Sequence, residues 1–305
     1  MGHGEAGVGA ADVAEYATAE QAIHAYLEST GHPDPSVICL AAAGPVVAGA
    51  VKVTNSHWEL AAERLQREFA GAPVELLNDF AAVAYSLPLL GAGDLRAIGT
   101  QPTVPLDAPS FTVGVLGPGT GLGVAGLIRR NGRSVAVSGE GGHVGFAPES
   151  DRQSTLLEEL RRDFERVSDE RVVSGQGLEN IYRALARLAG RTVTGTSAAD
   201  VYELAEAGDD KLAAEALDVF YVALGQVAGN LALTLGAADG VFIAGGVAQR
   251  YPELLAASRF REGFENKGRH RRIMRAIPTS LITHPQPGLL GASDCAVRLA
   301  HRRSV

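Results

Sequence analysis

The chain has 305 residues, 46% hydrophobic and 20% charged, an ordinary globular balance that is long enough for two domains. A net charge of −8 argues against general nucleic-acid affinity, and the one basic run, "KGRHRR" from Lys267 to Arg272, reads as a solvated face. No stretch reads as long and apolar enough to span a membrane, and "MGHGEAGVGAADVAEYATAEQ" lacks the basic start and apolar run of a signal peptide, so a cytoplasmic location is expected.

The first third alternates helix and strand. Thr18 is a possible N-cap for "TAEQAIHAYLEST", whose apolar residues recur at helical spacing. "SVICLAAAG" is a short apolar strand, and "GAVKVTN" has period-2 character. "ELAAERLQREF" reads as an amphipathic helix, "PVELLND" as a buried strand, and "FAAVAYSLPLL" as a helix. "LGAGDLRAIGTQPTVPLDAPS" is rich in Gly and Pro and reads as a domain junction or long loop. Beyond it, "FTVGVL" and "GVAGLIRR" are strands, and Asn131-Gly132 signals a hairpin into "RSVAVSGE". Helices follow in "TLLEELRRDFERV", "LENIYRALARLAG" and "KLAAEALDVFYVALGQVAGNLALTLG". In the first of these, Leu156, Leu157, Leu160, Phe164 and Val167 form one stripe. "GVFIAGGVAQR" holds a buried strand ending in Gly245-Gly246, "TSLITH" is the last strand, and "LLGASDCAVRLAHR" closes the chain as a helix. Strands alternating with helices predict an α/β fold. Cys39 and Cys295 are two lone cysteines in apolar settings, with neither zinc spacing nor a disulfide framework.

"GPGTGLG" sets Gly117, Gly119, Gly121 and Gly123 around Thr120. Bare backbone lets a ligand approach, and successive N–H groups form an anion-binding concavity. It is not a P-loop, because no Lys-Ser/Thr follows, and the spacing is not G-x-G-x-x-G. The turn joins strand to strand, so a ligand-free glycine hairpin is the competing reading. "LLNDF" places Asn78 and Asp79 at a strand end, where open α/β sheets bind ligands. Asp79 is either a general base for a hydroxyl or an N-cap. "SGEGGHVGFAP" offers Glu140 and His143 to sugar hydroxyls, or holds them as ordinary loop residues; its spacing does not support a metal pair. Glu170 is a surface carboxylate or a second sugar ligand, just before Ser174-Gly175-Gln176-Gly177. "AAAGPV" and "TNSHW" read as strand ends able to line a cleft.

In order, "AAAGPV", "VTNSHW", "LLNDFAAVA", "GPGTGLGVA", "GEGGHVGFAP", "ERVVSGQGL", "GNLALTLG", "GVFIAGGV" and "PGLLGA" resemble the landmarks of the bacterial glucokinase family, over nearly the whole chain. The resemblance implies a two-domain actin-like ATPase (ribonuclease H-like) sugar kinase fold with an interdomain cleft. The small domain would take residues 1–89 plus 285–305 and the large one 90–284. It implies phosphoryl transfer from ATP with Mg2+ to the 6-hydroxyl of glucose, in a homodimer serving glycolysis. Asp79 would be the base, with Asn78, Glu140, His143 and Glu170 holding the other hydroxyls. Gly117, Gly119, Thr120 and Gly121 would face the ATP phosphates, and Gly245-Gly246 would border the adenosine. The related zinc-containing kinases and repressors usually carry a cysteine-rich motif after the glycine-His segment, and its absence here favours the glucokinase branch. Polyphosphate as donor stays open.

The family opens with a strand and D-x-G-G-T-N, the first phosphate loop. Nothing of that pattern precedes "EYATAEQAIHAYL". The expectation is a chain that starts after that hairpin, through a truncated or misassigned start or a real loss, with an open sheet edge. The alternative function is then a sugar-binding homologue of weak or no activity. A DNA-binding sugar-responsive regulator is disfavoured by the acidic charge and the lack of an N-terminal helix-turn-helix.

Overall fold

The computed structural model describes residues 8–32, 34–54, 56–102 and 106–301. Most of "MGHGEAGVGA", Asn55 of "TNSHW" and part of the Gly/Pro-rich junction therefore lie outside the described residues. The chain divides into two compact units. One runs to Leu87 and resumes at Gln286; the other is Pro88–Pro285.

In the first unit, α1 (Ala19–Thr30) starts where Thr18 accepts a hydrogen bond from the Gln21 N–H at 3.3 Å and stops at Gly31, φ 73°. This is the N-cap and glycine C-cap logic of satisfying end groups. β1 (Ile38–Ala42) is followed by β2 (Ala50–Lys52) and β3 (Glu59–Ala61), which pair antiparallel with Val51 opposite Leu60. The predicted helix from Glu59 is thus shortened: α2 runs only from Ala62 to Glu68. Pairing buries Leu60 against Val51, and that overrides the helical propensity of Glu-Leu-Ala. β4 (Val74–Asn78) lies parallel to β1, Ile38 opposite Val74 and Ala42 opposite Asn78. Leu65, Phe69, Leu76 and Ile38 fill the core beside them. α3 (Asp79–Ser86) leaves β4 without a break and ends before Pro88, which supplies no N–H to continue an α-helix.

The second unit is built on a six-stranded sheet. It contains β5 (Leu95–Ala97), β6 (Phe111–Pro118), β7 (Leu122–Arg130), β8 (Arg133–Gly139), β9 (Val241–Ile243) and β10 (Thr279–Ile282). The order is β5-β10-β9-β6-β7-β8, with β10, β9 and β6 mutually parallel. β5 is a correction to the sequence reading, which has only a loop or junction there. Its three residues pair antiparallel with β10, too short a run to show any period. The β7–β8 turn is as expected: Asn131 and Gly132 both have positive φ, 51° and 79°.

Helices cover this sheet: α4 (Asp151–Leu160), α5 (Gly175–Leu188), α6 (Ala198–Ala207), α7 (Lys211–Leu235), α8 (Gly246–Arg250), α9 (Pro252–Ala257), α10 (Phe260–Glu265) and α11 (Arg271–Ala276). α4 stops before Phe164 and Val167, which still reach the same core from the loop beyond. α7 corrects another expectation. Its 25 residues have a mean hydropathy of 1.4 over the most apolar window, long and apolar enough to cross a membrane. About 72% of that window is buried inside the protein, so its apolarity is that of a core helix. A Cβ at Gly225 would overlap the Phe260 carbonyl, so α7 and α10 meet backbone to backbone.

The closing helix, α12 (Pro287–His301), belongs to the first unit. It packs on α3, and Gly291 lets the two backbones touch: a Cβ there would overlap the Ala82 carbonyl.

Candidate active site

In the first unit, β1 and β4 end side by side, so their C-terminal residues form one edge. Asn78 is the N-cap of α3. Its Oδ1 accepts from the Phe80 N–H at 2.9 Å and the Ala81 N–H at 3.2 Å, while its Nδ2 donates to the Gly44 carbonyl at 3.2 Å. Asn78 therefore fixes the loop after β1 to the start of α3. Asp79 is the first residue of α3 and not its cap, so the capping reading offered for it passes to Asn78. Its carboxylate also accepts from the Phe80 N–H at 2.9 Å, and the side chain is half-buried. In the same unit Pro45, Lys52, Thr54, Ser56 and His57 line a cavity of about 1020 Å³.

In the second unit, the β6–β7 turn closes tightly. Gly117 faces Gly123, Pro118 faces Leu122, and the Gly119 N–H donates to the Gly121 carbonyl at 2.8 Å. Thr120 is exposed at the tip. β9 runs parallel beside β6, and the Ala244 N–H donates to the Leu116 carbonyl at 2.8 Å. That register brings Gly245 against the turn: it has φ 89°, and a Cβ there would overlap the Pro118 carbonyl. α5 arrives at the same place. Ser174 caps it by accepting from the Gly177 N–H at 2.9 Å, and the Gly175 N–H donates to the Gly119 carbonyl at 2.9 Å. The turn, the segment Gly245-Gly246 and the N-terminus of α5 thus converge at the C-terminal ends of parallel strands, where α/β sheets bind ligands. Helix N-termini and bare N–H groups favour anions there.

Glu140 precedes, and His143 ends, a 3₁₀ turn after β8, Gly141–His143. Both side chains are exposed, with Glu140 Oε2 3.9 Å from His143 Nε2. The glycines between them serve packing: a Cβ at Gly142 would overlap the Leu122 carbonyl, and one at Gly141 would crowd Val124 at 2.9 Å. The next residues pair with the segment that leads to Glu170. Arg166 Nη2 donates to the His143 carbonyl at 2.8 Å, and the Asp169 N–H to the Val144 carbonyl at 2.8 Å. Glu170 then reaches under the glycine turn, where Oε2 accepts from the Leu122 N–H at 2.9 Å. Gly121 leaves room for that carboxylate. So of the predicted site residues, Gly117, Gly119, Thr120, Gly121, Gly245, Gly246, Glu140, His143 and Glu170 lie in one unit, and Asn78 and Asp79 in the other.

The family model described as Glucokinase matches residues 5–299. The chain belongs to the glucokinase family. A glucokinase of Caulobacter vibrioides (strain NA1000 / CB15N) is 44% identical over 284 residues, 92% of this chain and 83% of that relative. The crystal structure of a glucokinase from an Antarctic psychrotroph superposes with a TM-score of 0.83 at 36% identity, covering 94% of this chain and 88% of that one. A ROK family glucokinase from Streptomyces griseus, solved with glucose and AMPPNP, has a TM-score of 0.60 at 20% identity over 92% of this chain and 87% of that one, which shows the fold alone. The fold is that of the actin-like ATPase sugar kinases.

Two features of this glucokinase-family site escape sequence reading. Ser174-Gly175 shows no role in the sequence, although the capped start of α5 touches the glycine turn; a Ser three residues before a Gly and followed by an apolar stripe is the signal that carries it. Asp169 is the other. It is buried beside Glu170, and burial raises its carboxyl to about 7 against the opposing pull of Arg166. From its ordinary value of 3.8 up to about 7, the folded chain holds a proton that the unfolded chain releases. Stability should therefore fall as pH rises through that window, by at most about 1.4 kcal/mol per pH unit, and level off above it. Asp169→Asn should flatten the slope. Urea midpoints at about pH 5 and about pH 8 check this; an unchanged slope in the variant would clear Asp169 of the effect.

Proposed function

We propose that this chain transfers the terminal phosphoryl group of ATP to the 6-hydroxyl of glucose, giving glucose 6-phosphate. The observation that carries this is the convergence of the Gly117–Gly121 turn, Gly245-Gly246 and the start of α5 at the strand ends, a cradle suited to polyphosphate anions. Asp79, at the end of β4, is the general base that takes the 6-hydroxyl proton as the phosphoryl group moves. Asn78, Glu140, His143 and Glu170 hold the remaining hydroxyls. Such transfer depends on positioning and charge stabilisation far more than on covalent help from the protein. Among the described residues no cluster of His, Cys, Asp and Glu could hold a metal ion alone. Mg2+ enters this reading as part of the substrate, bound to the ATP phosphates, the usual habit of that ion. A cytoplasmic homodimer that feeds glycolysis is the setting that family membership supports. The test is a coupled assay of glucose 6-phosphate formation with ATP, and with polyphosphate in its place. No product with either donor would reject the reading.

A second expectation separates the sugar ligands. Glu140 is exposed and has no backbone to hold, so Glu140→Ala should raise the glucose KM about tenfold or more with little change for ATP. Glu170→Ala also frees the Leu122 amide under the glycine turn, so it should raise both KM values. Initial rates with each substrate varied in turn decide this. Equal effects of Glu140→Ala on both substrates would make it a structural residue.

A further inference from the structure

The two cysteines of the chain are remote in sequence, and the fold brings them together. Cys39 sits in β1 opposite Glu75 of β4, and Cys295 in the third turn of α12, which packs across β1. Both side chains pack against one small cluster of Leu77, Ala82 and Ala292, with Tyr85 beside them, and each perturbs the other's thiol. Both are free thiols and both are only partly buried. Cys39 also lines an apolar groove of about 640 Å³ along β1 and α12, wide enough to admit a small oxidant. Apolar packing alone does not require two cysteines in contact, since a pair of alanines or valines would fill the same space without reactive sulfur.

The environment divides the labour between them. The neighbouring Cys39 thiol holds Cys295 below its ordinary value, aided by Arg298 and opposed by burial, Glu75 and Asp294. Cys295 in turn, with burial and Glu75, pushes Cys39 up. With Arg298 three residues on along α12, Cys295 is the attacking thiolate, and Cys39, opposite Glu75, is its protonated neighbour.

We propose that Cys39 and Cys295 form a reversible disulfide under hydroperoxide, fastening α12 to β1. The Cys295 sulfur attacks one peroxide oxygen; the O–O bond breaks, a sulfenic acid forms, and the other oxygen leaves as water once protonated. The Cys39 sulfur then attacks the sulfenic sulfur; the S–S bond forms, the S–O bond breaks, and the hydroxyl leaves as water with the Cys39 proton. Two thiols lose two electrons and two protons, and one hydrogen peroxide becomes two waters. A small dithiol reverses the step by exchange. The cross-link braces the two elements that support the Asn78-Asp79 edge: β1, whose following loop holds Asn78 through Gly44, and α12, which backs α3.

The experiment treats the purified chain with hydrogen peroxide and reads it by intact mass, non-reducing peptide mapping and thermal melting. The expected product is a single covalent chain lighter by the mass of two hydrogens, with the Cys39 and Cys295 peptides joined and a higher Tm, all reversed by dithiothreitol. In Cys39→Ser, a dimedone adduct should accumulate on Cys295; in Cys295→Ser, reaction at Cys39 should be at least tenfold slower. Oxidation that stops at sulfinic or sulfonic acid, or that links separate chains, would overturn the proposal. Faster dimedone labelling of Cys39 in Cys295→Ser than of Cys295 in Cys39→Ser would overturn the assignment of roles.

Discussion

Asp79→Asn is expected to lower kcat by about 10²–10⁴ while glucose still binds. The carboxamide keeps the size and most of the hydrogen bonding of the carboxylate but cannot take a proton at neutral pH. The loss corresponds to roughly 3–5 kcal/mol of transition-state stabilisation. Local structure should survive, because Asn78 and not Asp79 caps α3, and Asn78 also ties the Gly44 loop in place. The remaining cost is that of a negative charge at the first turn of a helix, about 0.3–1 kcal/mol. Calorimetry with glucose, a thermal melt and coupled-assay kinetics together separate the roles. Turnover near that of the unsubstituted chain would remove Asp79 from catalysis, and loss of glucose binding with kcat intact would make it a sugar ligand only.

The second large effect is expected at Gly245. Its φ of 89° is a conformation that side chains rarely adopt, and a Cβ would overlap the Pro118 carbonyl with Gly117 C close behind. Backbone strain of this kind costs about 1–3 kcal/mol, and overpacking about as much again. Gly245→Ala should therefore lower the Tm clearly and push β9 away from the glycine turn, raising the ATP KM at least tenfold. Gly246→Ala is the matched comparison, since a Cβ there meets nothing within 4 Å. It should melt like the unsubstituted chain. If Gly245→Ala leaves both the melting curve and the ATP KM unchanged, the convergence of these two segments has no part in nucleotide binding.

Much of this was legible beforehand where local chemistry decides the outcome. The Thr18 cap, the Asn131-Gly132 turn and the apolar runs of β4, β6 and β9 each follow from short-range rules, and each is found in the structure. The ordered glycine and acidic motifs were enough to place the family. What stayed hidden depends on partners distant in sequence. β3 looks helical until Val51 lies opposite Leu60, and β5 looks like loop until β10 pairs with it. The glycines beside His143 have no evident task in the sequence, and it is Leu122 and Val124 of β7 that need the space. Cys39 and Cys295 read as unrelated because only the packing of α12 on β1 joins them. The length and apolarity of α7 are those of a membrane span, and only the surrounding core distinguishes the two cases.

The placement of α12 also has a consequence for how the chain is made. Residues 88–285 form one uninterrupted stretch, so that unit has all its strands and helices once they leave the ribosome. The unit bearing Asp79 has no such independence. Its α3 presses backbone to backbone on a helix that is translated only after the whole of residues 88–285. During synthesis the nascent chain must hold β1, β4 and α3 incomplete, their apolar faces uncovered, through the production of the whole intervening unit. The edge that carries Asp79 is therefore completed only once residues 287–301 have emerged, after the glycine turn and the start of α5 have already been made.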